Sequence, residues 1–182
     1  MAIIAKSSGT SYAPAPQGTH AAVCVDVVDL GMLKVSFAGK EKIQHKIRIV
    51  WQIDELRDDG KPHQVSRRYT NSLHEKASLR KDLESWRGKA FTPTELEGFD
   101  LENLLSVGCF INVMHAPAEG QTYANVGAVM KLPKGMTAPT PRDYVRVCNR
   151  EPEQDQQTPP GDYKDQQTPP DDYTVTDDDV PF

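Results

Sequence analysis

The spacing of hydrophobic positions changes along the chain, and each change predicts a different element. Residues 21–37 are mostly β-branched and aliphatic, which predicts a long first strand that is bent or bulged near Gly31. Residues 43–53 alternate between apolar and polar side chains, as a half-buried strand does. A turn signal at 58–61 and a further β-rich run at 64–70 predict a third strand that pairs with the second as a hairpin.

The period becomes helical in the middle of the chain. A helix is predicted over residues 73–87, beginning with a Ser-x-x-Glu capping box at Ser72 and ending at Gly88. A second capping box begins at Thr92 and has proline at the first helical position, so a short helical turn should follow it. Residues 101–105 are expected to add one further turn.

Strand character returns in residues 109–115 and 122–130, which should form a second hairpin. The order is three strands, a helix and two strands. This is the order of the OB-fold, a five-stranded Greek-key barrel that binds oligonucleotides across strands 2 and 3 and the adjoining loops. The predicted class is therefore mainly β, a β-barrel with one to two helices and its main helix between strands 3 and 4. Other α+β sandwiches share this list of elements.

The two ends of the chain differ in composition from its middle. Residues 6–18 are rich in small residues, proline and glycine, so the first segment of the chain, residues 1–18, is predicted to be flexible or extended. Residues 19–148 are expected to form the folded domain, and residues 149–182 a disordered acidic tail. Within the tail, Asp-Gln-Gln-Thr-Pro-Pro begins at Asp155 and again at Asp165, so the repeat lengthens a proline-rich tether.

Charge divides along the chain in the same way. Residues 1–150 contain 20 Lys and Arg and 16 Asp and Glu, a net charge of +4, whereas residues 151–182 contain one and ten, a net charge of −9. This division is typical of a polyanion-binding body with an acidic interaction tail. A tail that is acidic only for solubility explains the charges equally well.

Cysteine spacing and hydropathy indicate the compartment. Cys24, Cys109 and Cys148 are far apart, which favours neither a disulfide framework nor a Cys-x-x-Cys site. No apolar run approaches the ~20 residues that span a bilayer. We therefore expect a cytoplasmic protein without a membrane partner.

Cations and flat side chains on the predicted strands 2 and 3 are candidates for binding nucleic acid, because single strands are held by phosphate contacts and base stacking. Arg67 and Arg68 are consecutive, so at least one must face outward in any register. Tyr69 fits a stacking platform and the core equally well, whereas Trp51 and Trp86 belong to the core. Further cations flank the connection between strands 1 and 2, and two aromatic residues outside strands 2 and 3, Phe37 and Tyr123, are candidates for stacking. The full set of candidates is Lys34, Phe37, Lys40, Lys42, Lys46, Arg48, Arg67, Arg68, Tyr69 and Tyr123.

Catalytic and metal-binding patterns are weak. The five histidines show no zinc spacing, and the chain has neither a glycine-rich phosphate loop nor a G-x-S-x-G motif. Magnesium could be held by carboxylates at a predicted turn, but acids at turns are more often solvated surface. These carboxylates are Asp54, Glu55, Asp58 and Asp59. We expect no catalytic residues, no metal and no cofactor.

The last six residues are the most specific motif: Asp177, Asp178, Asp179, Val180, Pro181 and Phe182. The phenyl ring can enter an apolar pocket while the terminal carboxylate and the aspartates contact basic groups. Pro181 restricts the backbone and lowers the cost of ordering it. The motif closely resembles the acidic tip of bacterial single-stranded DNA-binding proteins, and this resemblance implies that replication, recombination or repair proteins dock there.

Residues 72–88 and 99–105 also resemble a family of small bacteriophage proteins regarded as OB-type replication or recombination accessories, over roughly residues 40–135. Both resemblances imply a sequence-independent single-stranded DNA-binding protein in the cytoplasm of a bacterial host. Whether it forms a homo-oligomer is left open. The alternative is an adaptor or decoy that binds no nucleic acid and uses the same tip to occupy host replication proteins.

Overall fold

Five antiparallel strands form the body of the protein in a computed structural model that describes residues 13–37, 39–118 and 120–150. The strands are β1 (Gly18–Phe37), β2 (Lys40–Leu56), β3 (Pro62–Thr70), β4 (Gly108–Ala118) and β5 (Gln121–Met130). They form one sheet in the order β3-β2-β1-β4-β5. The predicted tail from residue 151 onward, including its tip, and the first twelve residues lie outside the described residues.

Strand β1 connects the two halves of the sheet. Its first residues pair with β4, and most of its length pairs with β2. The register with β2 shifts between Cys24 and Asp26 and again between Asp29 and Gly31. Gly31 has φ +70°, a left-handed conformation that glycine adopts without steric cost. The predicted bend near Gly31 is confirmed, and such bulges increase the twist of a strand.

The sheet curls until its two edge strands approach each other. Arg67 on β3 donates a hydrogen bond from its guanidinium to the backbone oxygen of Gly127 on β5, at 3.3 Å. The edges do not pair as strands, so the barrel is not closed. The prediction of a mainly β, barrel-like fold with two helices is confirmed at this level.

The main helix, α1 (Ser78–Arg87), begins later than predicted. Its N-cap is Ala77, which offers no side-chain cap, and the proposed capping box at Ser72 is wrong. The Ser72 hydroxyl instead accepts the backbone N–H of His74 at 3.2 Å. Such local side-chain hydrogen bonds compete with helix formation. The predicted stop is confirmed, since Gly88 adopts a left-handed conformation with φ 69°.

A second, short helix, α2 (Pro93–Glu97), carries the other predicted capping box. The Thr92 hydroxyl accepts the Glu95 N–H at 3.3 Å, and the Glu95 carboxylate accepts the Thr92 N–H at 2.9 Å. The hydrogen bonds from the Thr92 N–H and from the Arg87 guanidinium lower the pKa of Glu95 to about 2. Since Arg87 belongs to α1, this pair joins the two helices. A 3₁₀ turn follows at Leu101–Leu104, as predicted.

The hydrophobic core lies inside the curled sheet, where buried residues of all five strands and of α1 meet. Strand β2 contributes the apolar side of its alternation, and α1 contributes side chains at helical spacing. Trp51 and Trp86 meet in this core with ring centroids 6.0 Å apart, so their predicted core roles are confirmed. The residues that β2 and α1 contribute to this core are Ile47, Ile49, Trp51, Ile53, Leu79, Leu83 and Trp86.

Both ends of the described body pack against the sheet. Ala15 is buried, and its backbone oxygen accepts a hydrogen bond from His115 at 2.7 Å. The folded body therefore begins before the predicted boundary at residue 19.

No helix in the part of the chain that the structure describes is long and apolar enough to cross a membrane.

Candidate nucleic-acid interface

The two sides of the β2–β3 hairpin differ in chemistry. Directly paired residues of an antiparallel sheet point to the same side. Ile47 pairs with Tyr69 on the core side, whereas Arg48 pairs with Arg68 on the outward side. Because side chains alternate along a strand, every even-numbered residue of β2 from 40 to 52 belongs to the outward side.

Half of the predicted binding residues share this outward side. We call them the basic face: Lys40, Lys42, Lys46, Arg48 and Arg68. The two register shifts against β1 lie in β1 itself, so the alternation of β2 is uninterrupted over this stretch. Lys46 is half-buried and donates a hydrogen bond to the Thr70 hydroxyl at 2.9 Å. Lys40, Lys42 and Arg68 are exposed.

Three candidates lie elsewhere or are not described. Lys34 pairs with Ile43, so the register assigns it to the opposite side of the hairpin from Lys42. Tyr123 is 40% exposed on β5, and β1 and β4 separate it from β2 in the sheet. The side chain of Phe37 lies outside the described part of the chain, so its predicted stacking role stays a prediction.

Tyr69 and Arg67 were assigned wrongly to the interface. Tyr69 is 1% exposed, and its hydroxyl donates a hydrogen bond to Asp82 at 2.7 Å. Burial, followed by the nearby Asp82 charge, raises its pKa well above the usual value. Arg67 donates to the same carboxylate at 3.0 Å and lies 5.2 Å from the Tyr69 ring centroid. Both residues are odd-numbered partners of the buried β2 isoleucines, so the pleat turns them toward the core.

A segment for which the sequence pattern predicts no role covers part of the outward side. We call residues 142–150 the strap. The Gln52 side chain, 1% exposed, donates to the Arg142 backbone oxygen at 2.6 Å and accepts the Arg142 N–H at 2.9 Å. The Gln52 side chain therefore forms the donor and acceptor pair that a neighbouring strand would form with Arg142. This pair fixes the beginning of the strap on β2.

Asp26 anchors the middle of the strap from beneath. It is 1% exposed and accepts hydrogen bonds from the Tyr144 hydroxyl at 2.9 Å, the Val147 N–H at 2.8 Å and Arg146 Nε at 3.1 Å. Burial, with a further contribution from the Asp26 hydrogen bond, raises the pKa of Tyr144 to about 12. Arg146 also donates two hydrogen bonds to Glu102. These hydrogen bonds, followed by the one to Asp26, raise the pKa of Arg146. A buried carboxylate is tolerated because all these donors satisfy it.

The strap covers the apolar centre of the outward side and leaves the basic face beside it. Tyr144 packs on the small cluster of Val23, Val25 and Val50. The signal for this arrangement was an acid, Asp26, inside a β-branched run, because such a residue needs buried partners. A second signal was the recurrence of arginine at positions 142, 146 and 150.

The carboxylates considered for magnesium lie at the end of β2 and in the turn that follows it. Asp54, Glu55 and Asp58 are exposed, and Asp59 accepts hydrogen bonds from the Arg57 guanidinium and the Lys61 N–H. These contacts, the Arg57 hydrogen bond foremost, lower the pKa of Asp59. In the described ranges, no group of three or more His, Cys, Asp or Glu is placed to hold a metal ion.

The sequence matches no known family model and no curated protein. Its function is therefore inferred from the residues that the fold brings together. These are the aligned cations of the basic face and the arginines of the strap beside them.

Proposed function

We propose that the chain is a sequence-independent single-stranded DNA-binding protein of the bacteriophage type that acts in DNA replication, recombination or repair. The observation that carries the proposal is the basic face, on which Lys40, Lys42, Lys46, Arg48 and Arg68 share the outward side of two adjacent strands. Aligned cations attract a polyanion and release its counterions when they neutralise phosphates. They do so without regard to base sequence.

The body, in this proposal, is an OB-fold. Support comes from the sheet order β3-β2-β1-β4-β5, the near approach of β3 and β5, and the helix between β3 and β4. An OB-fold binds oligonucleotides across strands 2 and 3 and in the loops after strands 1 and 4. The basic face occupies those strands and continues toward the loop between β1 and β2.

Fewer residues are candidates for base stacking than for phosphate contacts. Tyr69 is excluded by its burial, so bases would stack on Phe37 or Tyr123 if they stack on a predicted residue. Stacking contributes roughly 1–3 kcal/mol per base. Because the apolar centre of the outward side is covered by Tyr144, we expect phosphate contacts to dominate the affinity.

In this proposal, the tip of the tail, residues 177–182, recruits partner proteins. Asp177, Asp178, Asp179, Val180, Pro181 and Phe182 lie outside the described residues, so their docking role rests on their chemistry and their resemblance to bacterial tips. The partners would be replication, recombination or repair proteins in the cytoplasm of a bacterial host.

The lysines of the β1–β2 hairpin test the basic face. We expect the double variant Lys40→Ala/Lys42→Ala to bind fluorescent oligo-dT more weakly than the wild-type protein in anisotropy titrations. Its plot of log affinity against log salt should be shallower by about 1.4, since each lost phosphate contact removes ~0.7 for single strands. Lys34→Ala is the matched control, because the register assigns this lysine to the other side of the same hairpin.

Three results would contradict the proposal. If Lys34→Ala weakens binding as much as the double variant, the contact does not depend on the basic face. If duplex DNA of the same length binds as tightly as oligo-dT, the protein is not a single-strand binder. A wild-type protein that binds neither DNA would favour the adaptor hypothesis.

A further inference from the structure

A pocket lies between the strap and Arg48, at the margin of the basic face. It has a volume of about 260 Å³ and opens between β2, β3 and the strap. Arg48 and Val50 line it from β2, and Gln64 and Ser66 line it from β3. Tyr144 and Arg150 close it from the strap side. Its walls therefore come from elements far apart in sequence, and only the fold assembles them.

Two arginines make the pocket positive. Arg48 and Arg150 both lie close enough to the Tyr144 hydroxyl to favour its ionised form, and thus act against the burial that raises its pKa. The Arg150 guanidinium lies 5.6 Å from the Tyr144 ring centroid. Among the described residues, no carboxylate lines this pocket. The nearby Asp26 is already hydrogen-bonded to Arg146, Tyr144 and the strap backbone.

Arg48 also has an unused donor. Its Nε is buried and has no hydrogen-bond partner among the described residues. A buried guanidinium N–H without an acceptor is unfavourable, and an oxygen of a bound anion would satisfy it. The Ser66 hydroxyl and the Gln64 amide are further donors at the same pocket.

We infer that this pocket is a phosphate subsite, in which Arg48 and Arg150 hold one phosphate of a single-stranded DNA backbone from opposite walls. Planar guanidinium groups match the geometry of phosphate oxygens and form charge-assisted hydrogen bonds with them. The inference rests on the proposed function and adds Arg150, Gln64 and Ser66 to the interface. It also makes the strap a part of the binding site rather than only a cover over the sheet.

Arg150→Gln in the full-length protein tests the subsite. Because Arg150 is exposed, the fold should tolerate the change, and we expect oligo-dT affinity to fall by about tenfold. The salt dependence should become shallower by about 0.7, as for one lost phosphate contact. Arg142→Gln is the matched control, because Arg142 contacts Gln52 through its backbone and does not line the pocket.

Arg48→Lys supplies a second variant that keeps the charge but removes the planar donor set. Affinity should fall here too, with a wild-type melting temperature showing that the fold is intact. Competition with inorganic phosphate at matched ionic strength separates the two sources of the anion. Weak competition supports a backbone phosphate, whereas complete displacement of oligo-dT would indicate a free-phosphate site and overturn the backbone assignment.

The outcomes also distinguish the subsite from the proposed function. If wild-type protein and Arg150→Gln bind oligo-dT equally while the Lys40→Ala/Lys42→Ala variant is weakened, the subsite is wrong and the function stands. Equal losses in Arg150→Gln and Arg142→Gln would also overturn the subsite. If the wild-type protein binds no oligo-dT, both proposals fail.

Discussion

At the scale of single residues, two consecutive arginines on β3 have opposite environments. Arg68 is exposed on the basic face, whereas Arg67 is turned toward the core and contacts Asp82 and Tyr69. The group formed by Arg67, Tyr69 and Asp82 joins β3 to α1, and its further contact with Gly127 reaches β5. Side chains with the chemistry of a DNA contact therefore stabilise the curled sheet instead.

Tyr69→Phe tests this structural role. The variant removes the hydroxyl that donates to Asp82, so we expect a loss of about 1–2 kcal/mol in the free energy of unfolding. Urea denaturation measures the loss, and Tyr123→Phe is a control because that hydroxyl is exposed and donates to Gln121. Oligo-dT affinity should not change in Tyr69→Phe. A weaker affinity with unchanged stability would restore Tyr69 to the interface.

At the scale of elements, the strap is held by polar groups that are themselves buried. Gln52 pairs with the Arg142 backbone, and Asp26 receives three donors from Tyr144, Arg146 and Val147. A strap joined only by apolar contacts could slide along the sheet, but these directional bonds fix its register. The position of Arg150 above the basic face follows from this anchoring.

Asp26→Asn should loosen the strap. Because the amide cannot accept all three donors and leaves Arg146 without its buried charge partner, we expect a loss of roughly 3 kcal/mol in the free energy of unfolding. Limited trypsin digestion should cut after Arg142 and Arg146 sooner than in the wild-type protein. Asp29→Asn, an exposed position on the same strand, is the control. Equal digestion of both variants would mean that Asp26 does not anchor the strap.

At the scale of the whole molecule, the proposed DNA binding and the proposed recruitment of partners belong to parts of the chain with opposite net charge. The first 150 residues carry +4 and the remaining 32 carry −9, and the acidic part begins directly after Arg150. An acidic chain attached beside a basic face competes with DNA for the same cations at a high effective concentration. The tail should therefore weaken DNA binding at low salt, whatever partner it recruits.

Deletion of residues 177–182 should keep or raise oligo-dT affinity. The gain comes from the loss of three aspartates and should shrink at high salt, since screening shortens the range of the repulsion. Anisotropy titrations at two salt concentrations measure it. A full-length control with the same six residues in scrambled order keeps the charge and should bind as the wild type does. An adaptor would have no DNA affinity in any of these forms.

The sequence pattern predicted part of the basic face, whereas Lys40 and Lys42 were expected beside the connection between strands 1 and 2 and belong to β2. Lys46 and Arg48 oppose the apolar positions at a period of two, and the consecutive Arg67 and Arg68 required one outward arginine. The register between β2 and β3 decided that Arg68, and not Arg67, is the outward arginine. The start of α1 was missed because Ser72 satisfies a capping pattern locally but forms a turn with His74.

The sequence by itself determined the order of strands and helices, the outward side of β2 and the division of charge, because these depend on local periodicity and composition. Only the tertiary structure decided the burial of Tyr69, the inward turn of Arg67, the anchoring of the strap on Asp26 and the pocket between Arg48 and Arg150. The strap contacts join residues about a hundred positions apart. Such contacts depend on register and sheet curvature, which local patterns do not encode.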